Sequence, residues 1–194
     1  MQIVIPLFDE FNVLDATGPY EVLRHLPDAQ LHFAASRRGP IADAHGACTL
    51  QAEVAFDDVL SPDIIVVPGG QGRLNHMHEG PVRAWLLEAD KTSTWTTSVC
   101  TGALILAGAG LLKDRAATTH WRAMDELPAF GARPRRERYV FDGKYVTAAG
   151  VSAGIDMSLA LAGRLAGEST AREIQRTIEY DPAPPFDFHR PALQ

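Results

Sequence analysis

At 194 residues the chain is sized for one compact domain spanning 1–194, long enough to bury roughly 70% of its unfolded surface. Hydrophobic residues make up 46% and charged residues 22%, a balance that excludes a disordered chain. The net charge of −6 repels nucleic acid and anionic membranes, leaving a small neutral or polar molecule as the expected partner. The two cysteines, Cys48 and Cys100, stand far apart and in no metal-ligand spacing, so neither a disulfide framework nor a zinc site is expected. Met1–Pro6 lacks a basic leader, and no apolar run reaches the roughly 18 residues of a membrane span; a reducing, cytoplasmic setting is expected.

Gln2–Leu7 is a short apolar run, the mark of a strand buried on both faces. After a polar loop, Leu14–Arg24 carries apolar residues at helical spacing, with Pro19 expected in a first turn and Asp15 at or just before the helix start. Asp15 reads either as a helix N-terminal carboxylate or as a site residue. Leu31–Ala35 is the second strand, and strand-like pieces follow around Cys48–Leu50 and Val54–Phe56; Cys48 is expected only to pack there. Ile64–Val67 is an unbroken aliphatic run and must be a central strand. It ends in Pro68-Gly69-Gly70, where a backbone without side chains lets a ligand approach the amides. The glycine spacing does not match a dinucleotide fingerprint, and no cofactor is expected. His76, His78 and Glu79 alternate in a polar loop and read as solvated rather than metal-binding. Pro81–Ala89 reads as a helix with Val82, Trp85 and Leu86 turned inward.

The chain is organised around Thr94–Leu112. Its first part is β-branched and aromatic, and after Cys100 it becomes an Ala- and Leu-rich helical run. A cysteine at such a joint is held out at the carboxyl edge of the sheet, facing helix-opening amides that favour a thiolate. The competing reading is a small buried hydrophobe. Ala116–Thr119 is a short strand leading to His120, either a catalytic partner or a hydrogen-bonded histidine beside the site. Arg133–Glu137 is a solvated charge run. Arg138–Phe141 and Lys144–Ala148 are strands joined at Asp142-Gly143. Gly150–Gly154 is another glycine-bearing turn before Ile155–Ala166, a helix apolar on nearly every face, which implies burial within the domain or against a second copy. Ser169–Tyr180 is the last helix, capped by Ser169, and the Pro-rich Asp181–Phe188 is expected to pack along the surface.

Strands alternating with helices specify a mostly parallel sheet covered on both faces, a flavodoxin-like three-layer α/β sandwich that places ligands at the carboxyl ends of its strands. Gly69-Gly70, Cys100-Thr101 and Gly150–Gly154 all fall there, and the first helix can bring Asp15 to the same edge. That convergence favours a nucleophilic Cys100.

Val66–Gly70, Ser98–Ala103, Ala117–Trp121 and Val146–Asp156 together resemble the DJ/PfpI superfamily of the class I glutamine amidotransferase-like fold, over nearly the whole chain. Leu14–Glu21 and Ile178–Phe186 resemble its isonitrile-hydrating branch. The resemblance implies Cys100 as elbow nucleophile, Asp15 as the carboxylate near its sulfur, Thr101 as the residue after the nucleophile, and Gly70 as an amide donor; the glycine-bearing turns at the strand ends add Gly69 and Gly150 as candidate substrate-binding or oxyanion residues. It also implies a homodimer. Protease-like and amidase members carry histidine where this chain has Thr101, which argues against a Cys-His hydrolase. The amino-terminal half of some AraC-type regulators looks similar too, but no helix-turn-helix module is visible here. The expected activity is a hydro-lyase reaction, water added to an isonitrile to give an N-substituted formamide. Dicarbonyl chemistry by a glyoxalase or deglycase-like enzyme, and a non-catalytic cysteine oxidation sensor, are the alternatives.

Overall fold

The computed structural model describes residues 1–186, which form eleven strands and five α-helices. The elements are β1 (Gln2–Pro6), α1 (Val13–Leu23), β2 (Gln30–Ala35), β3 (Gly39–Ala42), β4 (Thr49–Ala52), β5 (Val54–Ala55) and β6 (Ile64–Val67). There follow α2 (Pro81–Ala89), β7 (Trp95–Val99), α3 (Gly102–Gly108), β8 (Ala116–Ala117), β9 (Arg133–Pro134), β10 (Tyr139–Asp142), β11 (Tyr145–Ala148), α4 (Ala153–Ala166) and α5 (Glu168–Thr177).

The main sheet has seven strands in the order β10-β11-β7-β6-β1-β2-β5, and every neighbouring pair is parallel except β10–β11. Ile64–Val67 lies at its centre and is wholly buried, as an aliphatic run covered on both faces must be. Val67 pairs with Ser98 and Val99 with Ala148, so β6, β7 and β11 end nearly level. The turns that follow them therefore meet at one edge. α4 lies against β7 and β11, between α1 and α5, while α3 packs on β6 and β7. This sandwiching explains the apolar character of α4: Met157, Leu161 and Ala162 are fully buried within the chain.

Several local expectations change. Pro19 sits in the middle of α1 rather than its first turn, and Asp15 is the third helical residue, with Asn12 at the N-cap. An interior proline forfeits a backbone hydrogen bond, at about 3 kcal/mol in an exposed helix. Here the ring is buried and packs where α4 presents Gly154, whose missing side chain leaves room for it. The helix after Cys100 stops at Gly108, well short of Leu112. β8 keeps only Ala116–Ala117 and pairs with β9 outside the main sheet. Cys48 lies just before β4, half-buried. α5 is not capped by Ser169, which is its second residue; Gly167 at φ 88° makes the one-residue corner from α4, a conformation cheap only for glycine. The tail to Phe186 is exposed instead of packed, and Asp187-Phe188 lie outside the described residues.

At the amino edge of the sheet, buried Asp90 holds the starts of β7 and β11 together. Its carboxylate accepts from Thr96 Oγ1 at 2.6 Å and Tyr145 OH at 3.0 Å, with Lys144 Nζ at 3.2 Å. Hydrogen bonds to a charged group contribute about 1.5–3 kcal/mol each, and unpaired buried partners cost more. Asp90→Ala is expected to lose about 3 kcal/mol, seen as a Tm drop of roughly 6–12 °C in calorimetry.

Candidate active site

Cys100 occupies the joint between β7 and α3 at φ 57°, a left-handed conformation that costs a non-glycine residue about 1–2 kcal/mol. Its neighbours hold it there. The Cys100 N–H donates to Ala149 O at 2.8 Å and Ala148 O at 3.2 Å, and its carbonyl accepts from Thr119 Oγ1 at 2.8 Å. Gly102 makes the tight return into α3 possible, since a Cβ there would fall 2.2 Å from the Val67 carbonyl oxygen. The turn aims the thiol at α1.

Asp15 is fully buried and hydrogen-bonded to Cys100. Gly69 N–H donates to its Oδ2 at 2.9 Å and Asn12 Nδ2 to its Oδ1 at 3.1 Å. Asn12 N–H in turn donates to Gly69 O at 2.8 Å, locking the loop after β1 to the end of β6. Burial pushes the Asp15 carboxyl up to about 7, against the pull of its hydrogen bonds from Gly69, Cys100 and Asn12. The Cys100 thiol is pushed up to about 12, first by burial and then by the Asp15 charge, while the N–H groups of Val151 and Thr101 favour the thiolate. The resting thiolate expected from helix-opening amides is thus replaced by a thiol: desolvation outweighs the amides.

The Gly70 amide, expected as a substrate donor, instead donates to Thr101 Oγ1 at 3.1 Å. That bond orients the hydroxyl and leaves its own proton to donate elsewhere. Gly69 is likewise engaged by Asp15. Gly150 gives no amide to the sulfur but makes room for His120, whose Cδ2 would lie 2.7 Å from a Cβ placed there. His120 Nδ1 accepts from Arg122 N–H at 3.3 Å, and its pKa is lowered by burial and by Arg122, which keeps the ring neutral. The histidine stands behind the turn as a packed, hydrogen-bonded group.

Sequence reasoning missed Asn12 and the Val151 amide. The glycine-bearing turn around Val151 was visible, but nothing in the sequence marks a β-branched residue at φ 35°. Asn12 was legible only as a loop residue, and it spends its amide on Asp15 rather than on capping α1. His76 is buried against Phe8, ring centroids 5.0 Å apart, and not solvated as expected. Among the described residues no three His, Cys, Asp or Glu side chains converge as metal ligands, and no helix is long and apolar enough to cross a membrane.

A strained cysteine elbow at the carboxyl edge of a flavodoxin-like sheet, facing a buried carboxyl, defines a class of cysteine-centred α/β proteins. The chain belongs to the DJ-1/PfpI family, whose model matches residues 1–164. It is 42% identical over 191 residues to isonitrile hydratase from Pseudomonas putida, across 98% of this chain and 83% of that one. It is 27% identical to the HTH-type transcriptional regulator CdhR from Pseudomonas aeruginosa, but spans only 52% of that protein. The crystal structure of a ThiJ/PfpI family protein from Pseudomonas syringae superposes with TM-score 0.93 at 32% identity, covering 97% of this chain and 78% of that one.

The raised carboxyl has a thermodynamic signature. The folded state holds the Asp15 proton up to about pH 7, whereas an unfolded carboxyl releases it near its ordinary 3.8. Stability is therefore full below about pH 4, falls as pH rises toward 7, and is flat above, for a loss of about 4 kcal/mol. Asp15→Asn removes this slope. In thermal melts at pH 5 and pH 8, the variant is expected to gain on wild type at the higher pH and to be the more stable protein there.

Proposed function

We propose that the protein is an isonitrile hydratase, a hydro-lyase that converts R-NC and water to an N-substituted formamide. Residues 1–194 form one domain that works in the cytoplasm without a cofactor, with Cys100 as nucleophile and Asp15 as its acid-base partner. The observation that carries the reading is the buried Asp15–Cys100 pair: with proton affinities near 7 and 12, it holds one shared proton over the range between them. An isonitrile carbon becomes open to a nucleophile as it gains a proton, so the chemistry needs an acid and a thiolate at the same carbon. The one-proton pair supplies both from its minor tautomer, neutral Asp15 beside a Cys100 thiolate.

In the first half-reaction Asp15 gives its proton to the isonitrile carbon as sulfur bonds to it, forming the thioimidate R-N=CH-S-Cys100. Asp15, now ionised, takes a proton from the water that attacks the same carbon, while the second water proton ends on nitrogen. The C–S bond then breaks, R-NH-CHO leaves, and the pair regains its proton. The amides of Val151 and Thr101 stabilise negative charge on sulfur, and the Thr101 hydroxyl, oriented by Gly70, positions the isonitrile or the intermediate. Gly69 holds Asp15 in place, and Gly150 with His120 backs the turn that carries Val151.

Turnover of cyclohexyl isocyanide, followed as formation of N-cyclohexylformamide, tests the assignment. Wild type is expected to make the formamide, Cys100→Ala none, and Asp15→Asn at least ~100-fold less. Because a second proton on the pair removes the thiolate tautomer, kcat/KM is expected to rise with pH and level off near 7. A wild-type protein that ignores the isonitrile but consumes methylglyoxal would replace this function with the dicarbonyl one.

The homodimer implied by the superfamily resemblance is also proposed, with α4 and its neighbour α1 at the interface, where Leu14 is 40% exposed and Leu159 half-buried. Light scattering at micromolar concentration is expected to report twice the chain mass; a monomer mass rejects the dimer.

A further inference from the structure

The strained Val151 amide that faces the Cys100 sulfur sits in the Ala149–Ser152 turn, and one residue outside the site, Arg138, holds both ends of that turn, one by its backbone carbonyl and the other by its side chain. Ala149 N–H donates to the Arg138 carbonyl at 3.0 Å, and Arg138 Nη2 donates to Ser152 Oγ at 3.1 Å. Ser152 does not use its hydroxyl to cap α4. Arg138 is itself fixed: its Nε donates to Asp156 Oδ2 at 2.6 Å in the first turn of α4, and Asp156 Oδ1 accepts from Tyr180 OH at 3.0 Å. The Arg138 and Asp156 side chains are 47% and 25% exposed, and an ion pair so placed contributes little stability by itself. A residue such as Val151 at φ 35° persists only where its surroundings over-determine it.

We propose that Arg138 is a positioning residue for catalysis, clamping the turn so that the Val151 N–H stays aimed at sulfur, with Asp156 and Tyr180 as its anchor. This rests on Cys100 being the reacting group, and it gives the tail segment that begins near Tyr180 a part in the site. The planar guanidinium fork serves Asp156 and Ser152 at once, which a lysine ammonium on a flexible stem cannot reproduce.

The test uses Arg138→Ala, Arg138→Lys and Tyr180→Phe in a Cys48→Ser background. Three quantities are measured: kcat and KM for isonitrile hydration, the rate of Cys100 alkylation by iodoacetamide at pH 9, and Tm. Deleting an oxyanion donor costs about 10²–10³-fold in kcat, so a misaimed one is expected to cost about 10–100-fold in Arg138→Ala, with KM changed less than about twofold and alkylation slowed. Arg138→Lys is expected not to restore kcat. Tyr180→Phe, which removes one hydroxyl and keeps the fold, is expected to move kcat and alkylation in the same direction by a smaller factor. Unchanged kcat and alkylation in Arg138→Ala, full rescue by lysine, or faster alkylation from a merely loosened turn would each overturn the clamp. Should wild type fail to hydrate isonitriles, alkylation alone decides: slowing in Tyr180→Phe supports the clamp, and an unchanged rate rejects it.

Discussion

The Asp15 carboxyl and the Cys100 thiol share one dry space, and its dryness makes both hold their protons more tightly; the Asp15 charge adds to this at the thiol, while the hydrogen bond from Cys100 pulls the carboxyl the other way. Water would separate their charges and return both groups toward ordinary behaviour. Excluding it takes the surrounding structure: Asp15 is fully buried, Cys100 is 6% exposed, and backbone amides from three different turns stand in for solvent around them. The arrangement is destabilising at neutral pH by about 4 kcal/mol on the carboxyl alone, a sizeable share of the 5–15 kcal/mol that domains usually hold. Aliphatic burial through β1 and β6 and the satisfied Asp90 network at the opposite edge offset it.

The parallel sheet explains why these groups meet. β11, β7, β6 and β1 are consecutive in space, and each is followed by a turn at the same edge. β7 brings the sulfur, β6 brings Gly69 and Gly70, β11 brings Val151, and the loop after β1 brings Asn12 and Asp15. An antiparallel arrangement would send half of these turns to the far edge. The glycines act chiefly as space: Gly102 clears the Val67 carbonyl, and Gly150 clears the His120 ring.

The sheet was legible in the sequence because burial on both faces leaves an unmistakable aliphatic run such as Ile64–Val67, and the joint at Cys100 was legible as a change from β-branched to Ala- and Leu-rich residues. Departures came where tertiary contact overrode local preference. Pro19 is tolerated mid-helix because Gly154, far along the chain, makes room for its ring. The thiol state of Cys100 follows from how much water the fold removes, which no local pattern encodes. Val151 was unreadable as a donor because its backbone angle is imposed by the turn and not by its own side chain. The glycines make other bonds than expected: the Gly70 amide donates to the Thr101 hydroxyl, and the amides that favour the Cys100 thiolate are those of Thr101 and of Val151, the residue after Gly150.

The dispersal of the site along the chain has a consequence for folding. Asp15, Cys100 and Val151 come from early, middle and late segments, so their meeting requires contacts of high sequence separation, which form slowly and only after loop closure. A growing or partly folded chain carries Cys100 as an ordinary solvated thiol, open to oxidants and without its carboxyl partner. Protection of the sulfur and competence for chemistry thus arrive together, in the same closing step that docks α4 and brings Val151 to the elbow.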